Sequence, residues 1–175
     1  GSRRRNPGRV GLVRSTEGLN RNVCTVAWAC PCSKNPPTFA IALGKSHRSY
    51  KNIMQTGYFG LNVPTADLLG MVWFCGSKSG HRVDKVHEGD IPIRLGTAYD
   101  KLPLVDSCAA WLECKMVPGA EAGDHGIIVA QAVAASCRPG VLHDDRTWNT
   151  ADFPTLHHVG GRRFVLGKDQ VTVES

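Results

Sequence analysis

Two segments, CTVAWAC over residues 24–30 and TFAIALG over residues 38–44, alternate residue by residue, and this alternation limits the fold more than any other feature. A period of two sends successive side chains to opposite faces of a strand. Cys24, Val26, Trp28 and Cys30 then share one face, while Thr25, Ala27 and Ala29 make the other small and flat. In the second segment Phe39, Ile41 and Leu43 oppose Thr38, Ala40 and Ala42 in the same way. A face of small residues admits close packing of a strand or helix, and equally a planar ring laid against the backbone. Trp28 is on this reading either a core aromatic or a ring contact.

The rest of the pattern is also largely β. Residues 9–15 read as a first strand, 17–22 as a Gly/Asn-rich turn, and 58–64 as a strand ended by Pro64. Thr65 is placed to cap a helix carrying Leu68, Leu69, Val72 and Trp73, and residues 75–90 read as a long polar connection. Residues 107–117 alternate, Gly123-Asp124-His125 turns into a second long strand, and LHHVGGRRFVLG with QVTVE suggests a closing hairpin. Many antiparallel strands with a few short helices predict a mainly β fold, a closed or split β-barrel, rather than a parallel α/β sheet. No GxGxxG follows a strand and no GxxxxGK[ST] is present, so neither dinucleotide fingerprint nor P-loop supplies a phosphate site.

At 175 residues, with 42% apolar and 21% charged residues, the chain is expected to form one domain over 9–175. Gly1-Ser2 reads as a cleavage remnant, and residues 1–8 as that remnant with a flexible basic arm. The formal charge of +6 comes from 21 basic against 15 acidic residues, and Arg3, Arg4 and Arg5 carry half of it. With no aromatic-interleaved basic stripe behind that arm, no nucleic-acid partner is expected. No run of about 18 apolar residues and no signal-type opening occur, which predicts a cytoplasmic protein without a membrane partner. Seven cysteines, an odd number without paired spacings, suggest reduced and mostly buried thiols. Cys30-Pro31-Cys32 lacks the second CxxC or histidine pair of a zinc site, and His157 and His158 are strand neighbours that face opposite ways, so no metal is expected.

The stretch GKSHRSYKNIMQTG, residues 44–57, reads as a strand end running into a short helix. Ser46 is a plausible N-cap, Tyr50, Ile53 and Met54 give an apolar face, and Gly57 stops the helix. Lys45, Ser46, Arg48, Ser49 and Lys51 gather hydroxyls and cations around its first turn, which makes an anion seat. The plainer alternative is a capped surface helix with solvated basic residues.

Taken together and in order, NVCTVAW, SKNPPTFAIAL, SHRSYKNIMQTGYFGLNVP, the CGSKSG and VDK segment, LECK, GDHGIIVAQAV and HHVGG resemble the flavin reductase-like family with an FMN-binding split barrel, especially its flavoredoxin branch. The resemblance spans about residues 9 to 168. It implies a homodimer with FMN near the subunit interface, its phosphate held at Ser46, Arg48, Ser49 and Lys51. Some relatives carry arginine where Ser46 stands, so Arg48 or Lys45 would supply that charge. Thr25, Ala27 and Trp28 would meet the ring, Asn20 or Asn22 the ribityl chain or ring edge, and Asn62 is a further contact in an NxP-like strand end. Ser79, His81, Asp84 and Lys85 would line the approach of a nucleotide or partner, unless Asp84 and Lys85 are merely a surface ion pair. His125 is a turn histidine or a donor near the cofactor, and His157 and His158 reach toward it from the C-terminal strands. The implied activity is reduction of flavin, a ferric complex or a similar acceptor by NADH or NADPH through FMN. A flavoredoxin-like carrier exchanging electrons with redox proteins is the alternative. No catalytic acid, base or triad is required, and Cys30 and Cys32 are expected to be structural.

Overall fold

The computed structural model describes residues 8–99 and 102–173, so the arginine-rich arm expected at the N-terminus lies, up to residue 7, outside the described residues. Strands β1 (Gly8–Arg9) and β2 (Gly11–Glu17) open the chain, and β2 pairs with β3 (Asn20–Val26) through a turn at Gly18, whose φ of 53° suits glycine. Asn20 and Asn22 therefore stand in a strand and not in the expected 17–22 turn. Nor does β3 run on to Cys30. It ends at Val26, and after Ala27 and Trp28 a new strand, β4 (Ala29–Lys34), begins beside β5 (Pro37–Gly44).

That break closes the architecture. With β6 (Tyr58–Val63), β9 (Ala110–Ala122) and β10 (His125–Cys137), these strands form one antiparallel sheet in the order β3-β2-β6-β9-β10-β5-β4. Because β3 lies at one edge and β4 at the other, yet only two residues join them, the sheet must curl until its edges meet. Near the join Ala42 N–H donates to Trp28 O at 2.9 Å, but β3 and β5 share no ladder. The result is a barrel split along one seam, as the alternation predicted.

Strands β2 and β3 carry buried residues on both faces. Val13, Cys24, Val26, Ile41, Leu43 and Phe59 fill the barrel, whereas Leu12 and Val23 face an outer layer with Val72, Leu104 and Trp111. Each such aliphatic or aromatic side chain stabilises the fold by about 1.5–3 kcal/mol through burial. Helix α1 (Arg48–Thr56) adds Ile53 to the interior and ends at Gly57, whose φ is 75° and whose N–H donates to Ile53 O at 2.7 Å. Met54, expected on the same apolar face, is instead 49% exposed.

A 3-10 turn (Ala66–Leu68) leads into α2 (Leu69–Ser77). Thr65 precedes it, but its hydroxyl meets the Asp67 carboxylate rather than a backbone N–H. The expected 75–90 connection is shorter than predicted, since α2 runs to Ser77 and α3 (Lys85–Glu88) follows. The Asp84 carboxylate caps α3 by accepting from Val86 N–H and His87 N–H. Strands β7 (Ile93–Leu95) and β8 (Pro103–Val105) pair with each other, while β11 (Thr155–Gly160) lies between β1 and β12 (Arg163–Gly167). The closing hairpin is complete in β11 and β12. Gln170–Val173 form no strand, and Glu174 is outside the described residues. Among the described residues no helix is long and apolar enough to cross a membrane.

Candidate functional site

The seam leaves the outer edge of β3 without a partner strand, and α2 with the segment after it covers that edge. Thr25 Oγ1 donates to Val72 O at 2.5 Å, and Lys85 Nζ donates to Val23 O at 3.0 Å and to Cys75 O at 2.6 Å. Beside these contacts lies a cleft in two parts. The first, about 380 Å³, is lined by Ala27, Trp28, Ala42, Leu43, Trp73 and Phe164. The second, about 440 Å³, is polar and is lined by Asn22, Ser46, Arg48, Ser79, His81 and Lys85. Thr25, His47 and Gly76 line both, so the two parts are continuous.

The polar part gathers positive potential. Helix α1 begins there with His47 at the N-cap in an extended conformation, with no side-chain cap and no acidic residue in its first turn. Its first backbone N–H groups therefore remain available to an anion. Ser46 is thus not the cap, although it lines the cavity. Arg48 donates from Nε to Gly80 O and from Nη1 to Asn20 Oδ1 at 2.6 Å, which fixes the guanidinium and leaves donors of its fork unused. His81 Nε2 donates to Ser46 O at 3.0 Å and ties the 78–81 segment to the α1 turn.

Behind this surface lies a buried polar layer. Asn22 Nδ2 donates to Ser49 Oγ at 2.9 Å, Ser15 Oγ donates to the same oxygen at 3.1 Å, and Asn52 Nδ2 donates to Asn20 O at 2.6 Å. Ser49 is fully buried and does not reach the cleft, so its expected phosphate contact is replaced by a supporting role under the seat. Asn22 Oδ1 is different: it is buried and has no hydrogen-bond partner, which costs stability unless something supplies a donor.

Burial first, and then the nearby His125, Lys85 and His81, hold the His47 imidazole below its ordinary value, which favours the neutral ring at pH 7. Burial also lowers the Lys85 ammonium, while it pushes the Cys24 thiol up and the Cys75 thiol up to about 12. Neither thiol is a nucleophile at neutral pH.

The structure brings together Asn22, Thr25, Ser46, Arg48, Ser79, His81 and Lys85, and it places Ala27 and Trp28 on the apolar wall. Asn20 acts through Arg48. Several expectations change. Asn62 is fully buried away from the cleft, with Nδ2 donating to Leu12 O and Gly60 O and Oδ1 accepting from Val105 N–H, so it is a structural brace. Lys51 is exposed and absent from both linings. Asp84 is held by Arg21 at 2.8 Å and its carboxyl is lowered, chiefly by that hydrogen bond, so it pairs with Arg21 and not Lys85, and it is absent from both linings. Lys85, 3% exposed, is inside the cleft and not on a surface path to it. Of the histidines expected near the cofactor, His125 and His158 line the apolar part, and His125 packs on Trp28 with centroids 5.1 Å apart. His157 turns to Thr155 instead. Sequence reasoning passed over His47, Trp73, Gly160, Gly161 and Phe164 as lining residues. The paired glycines were the available signal, since φ values of 127° and 55° bend the β11–β12 tip over the cavity.

A split barrel with a two-part cleft at its seam defines the class of this protein. Residues 3–163 match the model of the flavin reductase like domain, and the chain belongs to that family. It is 33% identical over 177 residues to the uncharacterized protein YddH of Escherichia coli K12, which covers 98% of this chain and 93% of that protein. Among solved structures it is similar to an FMN-binding protein from Thermus thermophilus, with a TM-score of 0.89 and 21% identity over 99% of this chain and 94% of that one. The FMN-binding domain of a flavin reductases-like enzyme from Shewanella baltica OS155 gives a TM-score of 0.86 at 26% identity, covering 98% and 92% respectively.

Proposed function

We propose that the cleft binds FMN and that the protein is an oxidoreductase, passing electrons from NADH or NADPH to free flavin, a ferric complex or a similar acceptor. The observation that carries this reading is the division of the cleft: a cationic, donor-rich end and an apolar, aromatic-walled end, joined at Thr25, His47 and Gly76. FMN has the same division between phosphate and ring. Its ring, when bound, supplies the redox chemistry, and the protein supplies the setting.

In that setting the α1 N-terminus and Arg48 hold the phosphate, with Lys85 adding charge from below. Asn22 Oδ1 is satisfied by a hydroxyl of the ribityl chain, which explains a buried acceptor without a partner. Trp28, Trp73 and Phe164 exclude water from the ring's surroundings. Ser79 and His81 close the polar end. The protein is read as a homodimer, supported by a part-exposed apolar strip of Met54, Met116, Val117 and Pro118. Sedimentation velocity checks that point.

The functional test is anaerobic. The purified protein should be yellow, and addition of NADH or NADPH should bleach it and show which donor is preferred. Bleaching by dithionite but by neither nucleotide would instead favour the flavoredoxin-like carrier, whose donor is a redox protein. A colourless protein that takes up no added FMN would overturn the reading.

A further inference from the structure

Cys30 and Cys32 lie outside the cleft, and nothing in the flavin chemistry uses them. We propose that they form a surface dithiol site that reacts with small disulfides of the glutathione class and closes to an internal disulfide. Of the seven thiols, Cys24, Cys75, Cys108 and Cys114 are buried, whereas Cys30, Cys32 and Cys137 are exposed. Only Cys30 and Cys32 are adjacent among the exposed three. Cys32 Sγ lies 3.6 Å from Cys30 O, so the Cys32 side chain folds back toward Cys30.

The local backbone explains the closeness. In a flat strand, residues two apart share a face with Cα atoms about 6.8 Å apart, at the outer limit for a disulfide. Here Pro31 stands between them, and its ring holds φ near about −65°, well away from the extended value. The pairing also slips at this point: Pro31 faces Phe39 and Ser33 faces Thr38, so Cys32 is the extra residue of a β-bulge. The fixed φ of Pro31 shortens the span between the cysteines relative to a flat strand. Because β4 is an edge strand, no neighbouring strand covers it on its outer side, and Pro31 withholds an N–H that an added strand would need.

The chemistry balances with one oxidant. One thiolate attacks glutathione disulfide, forming a mixed disulfide and releasing one glutathione. The second thiolate then attacks the protein sulfur of that mixed disulfide, forming the Cys30–Cys32 bond and releasing the second glutathione. Two protein thiols are oxidised, one glutathione disulfide is reduced, and both protons leave on the two glutathione thiols. Cys137, exposed but solitary, can only stop at the mixed disulfide.

The experiment uses the full chain carrying Cys137→Ser, incubated with glutathione disulfide under native conditions and followed by intact mass and peptide mapping. The expected product is two hydrogens lighter, with the link mapped between residues 30 and 32, and no retained glutathione. Adding Cys32→Ser should convert that product into a stable adduct one glutathione heavier at Cys30, while flavin content stays unchanged. A Cys137→Ser chain that keeps glutathione on either cysteine without closing, or that stays unmodified while free glutathione-reactive peptides in the same tube are consumed, would overturn the proposal.

Discussion

Glu113 and Lys85 are equally buried, each 3% exposed, and their surroundings differ in one respect that separates scaffold from site. The Glu113 carboxylate accepts from Thr97 N–H, Thr97 Oγ1–H, Ala98 N–H and Tyr99 N–H, so a loop of the chain itself fills its capacity. Gly96 seals it, since a Cβ there would come within 2.3 Å of Oε2. Lys85 has two carbonyl partners for three donors and faces the polar end of the cleft. A buried charge fully satisfied by its own chain holds the fold, while one left with spare capacity at a cavity wall is available to a ligand.

The largest effect that this contrast predicts is on stability. Glu113→Ala should lose about 3 kcal/mol or more in denaturant unfolding, because a buried charge is removed from several committed donors. The surviving folded protein should keep its flavin affinity. Lys85→Met should do the reverse, lowering FMN affinity about 10- to 100-fold, as expected for a charge-assisted contact, with a stability loss smaller than that of Glu113→Ala. If both variants lost stability and affinity together, the distinction between the two charges would fail.

Gly80→Ala should fall between them in kind and below them in size. A Cβ at Gly80 would stand 2.2 Å from Asn22 Oδ1, so the 78–81 segment must shift away from the seat. We expect FMN binding to weaken by about tenfold, measured by flavin fluorescence, with global stability changed by less than about 1 kcal/mol.

The smallest effect is in pH dependence: both groups hold their proton less tightly in the folded protein than in the unfolded chain, so stability rises with pH in each case, in an acidic window for Glu113 and an alkaline one for Lys85. Burial raises the Glu113 carboxyl, but its hydrogen bonds outweigh this and leave it below 4.5. The stabilisation relative to Glu113→Gln is therefore present above pH 4.5 and lost as pH falls through the lower folded value. Lys85 is lowered from 10.5 by burial, so the wild type should gain stability relative to Lys85→Met as pH rises toward 10.5. Urea midpoints across pH for the three proteins check both signs.

Much of the barrel was legible because alternation is local: β5, β6, β9 and β10 lie close to where their side-chain patterns put them. The break at Ala27–Trp28 was not legible, because closure of the sheet imposes it and both residues fit a continuing strand. At the site, Arg48 and the α1 turn could be read from charge gathered at a helix start. Ser49 and Asn62 misled for one shared reason: a polar residue in a strand end or first turn looks the same in sequence whether it meets a ligand or a buried backbone group. Lys85 misled in the opposite direction, since a lysine in a polar segment reads as solvated until the carbonyls of Val23 and Cys75 are found around it.

On the proposed reading, α1 and Arg48 form the phosphate end of a flavin cleft. Titrating flavin-free wild type and Arg48→Ala with FMN and with riboflavin tests it most directly, since only FMN carries the phosphate. The wild type should bind FMN at least about 100-fold more tightly than riboflavin, and Arg48→Ala should shrink that gap by about tenfold or more while leaving riboflavin affinity unchanged. Equal binding of the two flavins by the wild type, or a variant that weakens both alike, would contradict the assignment.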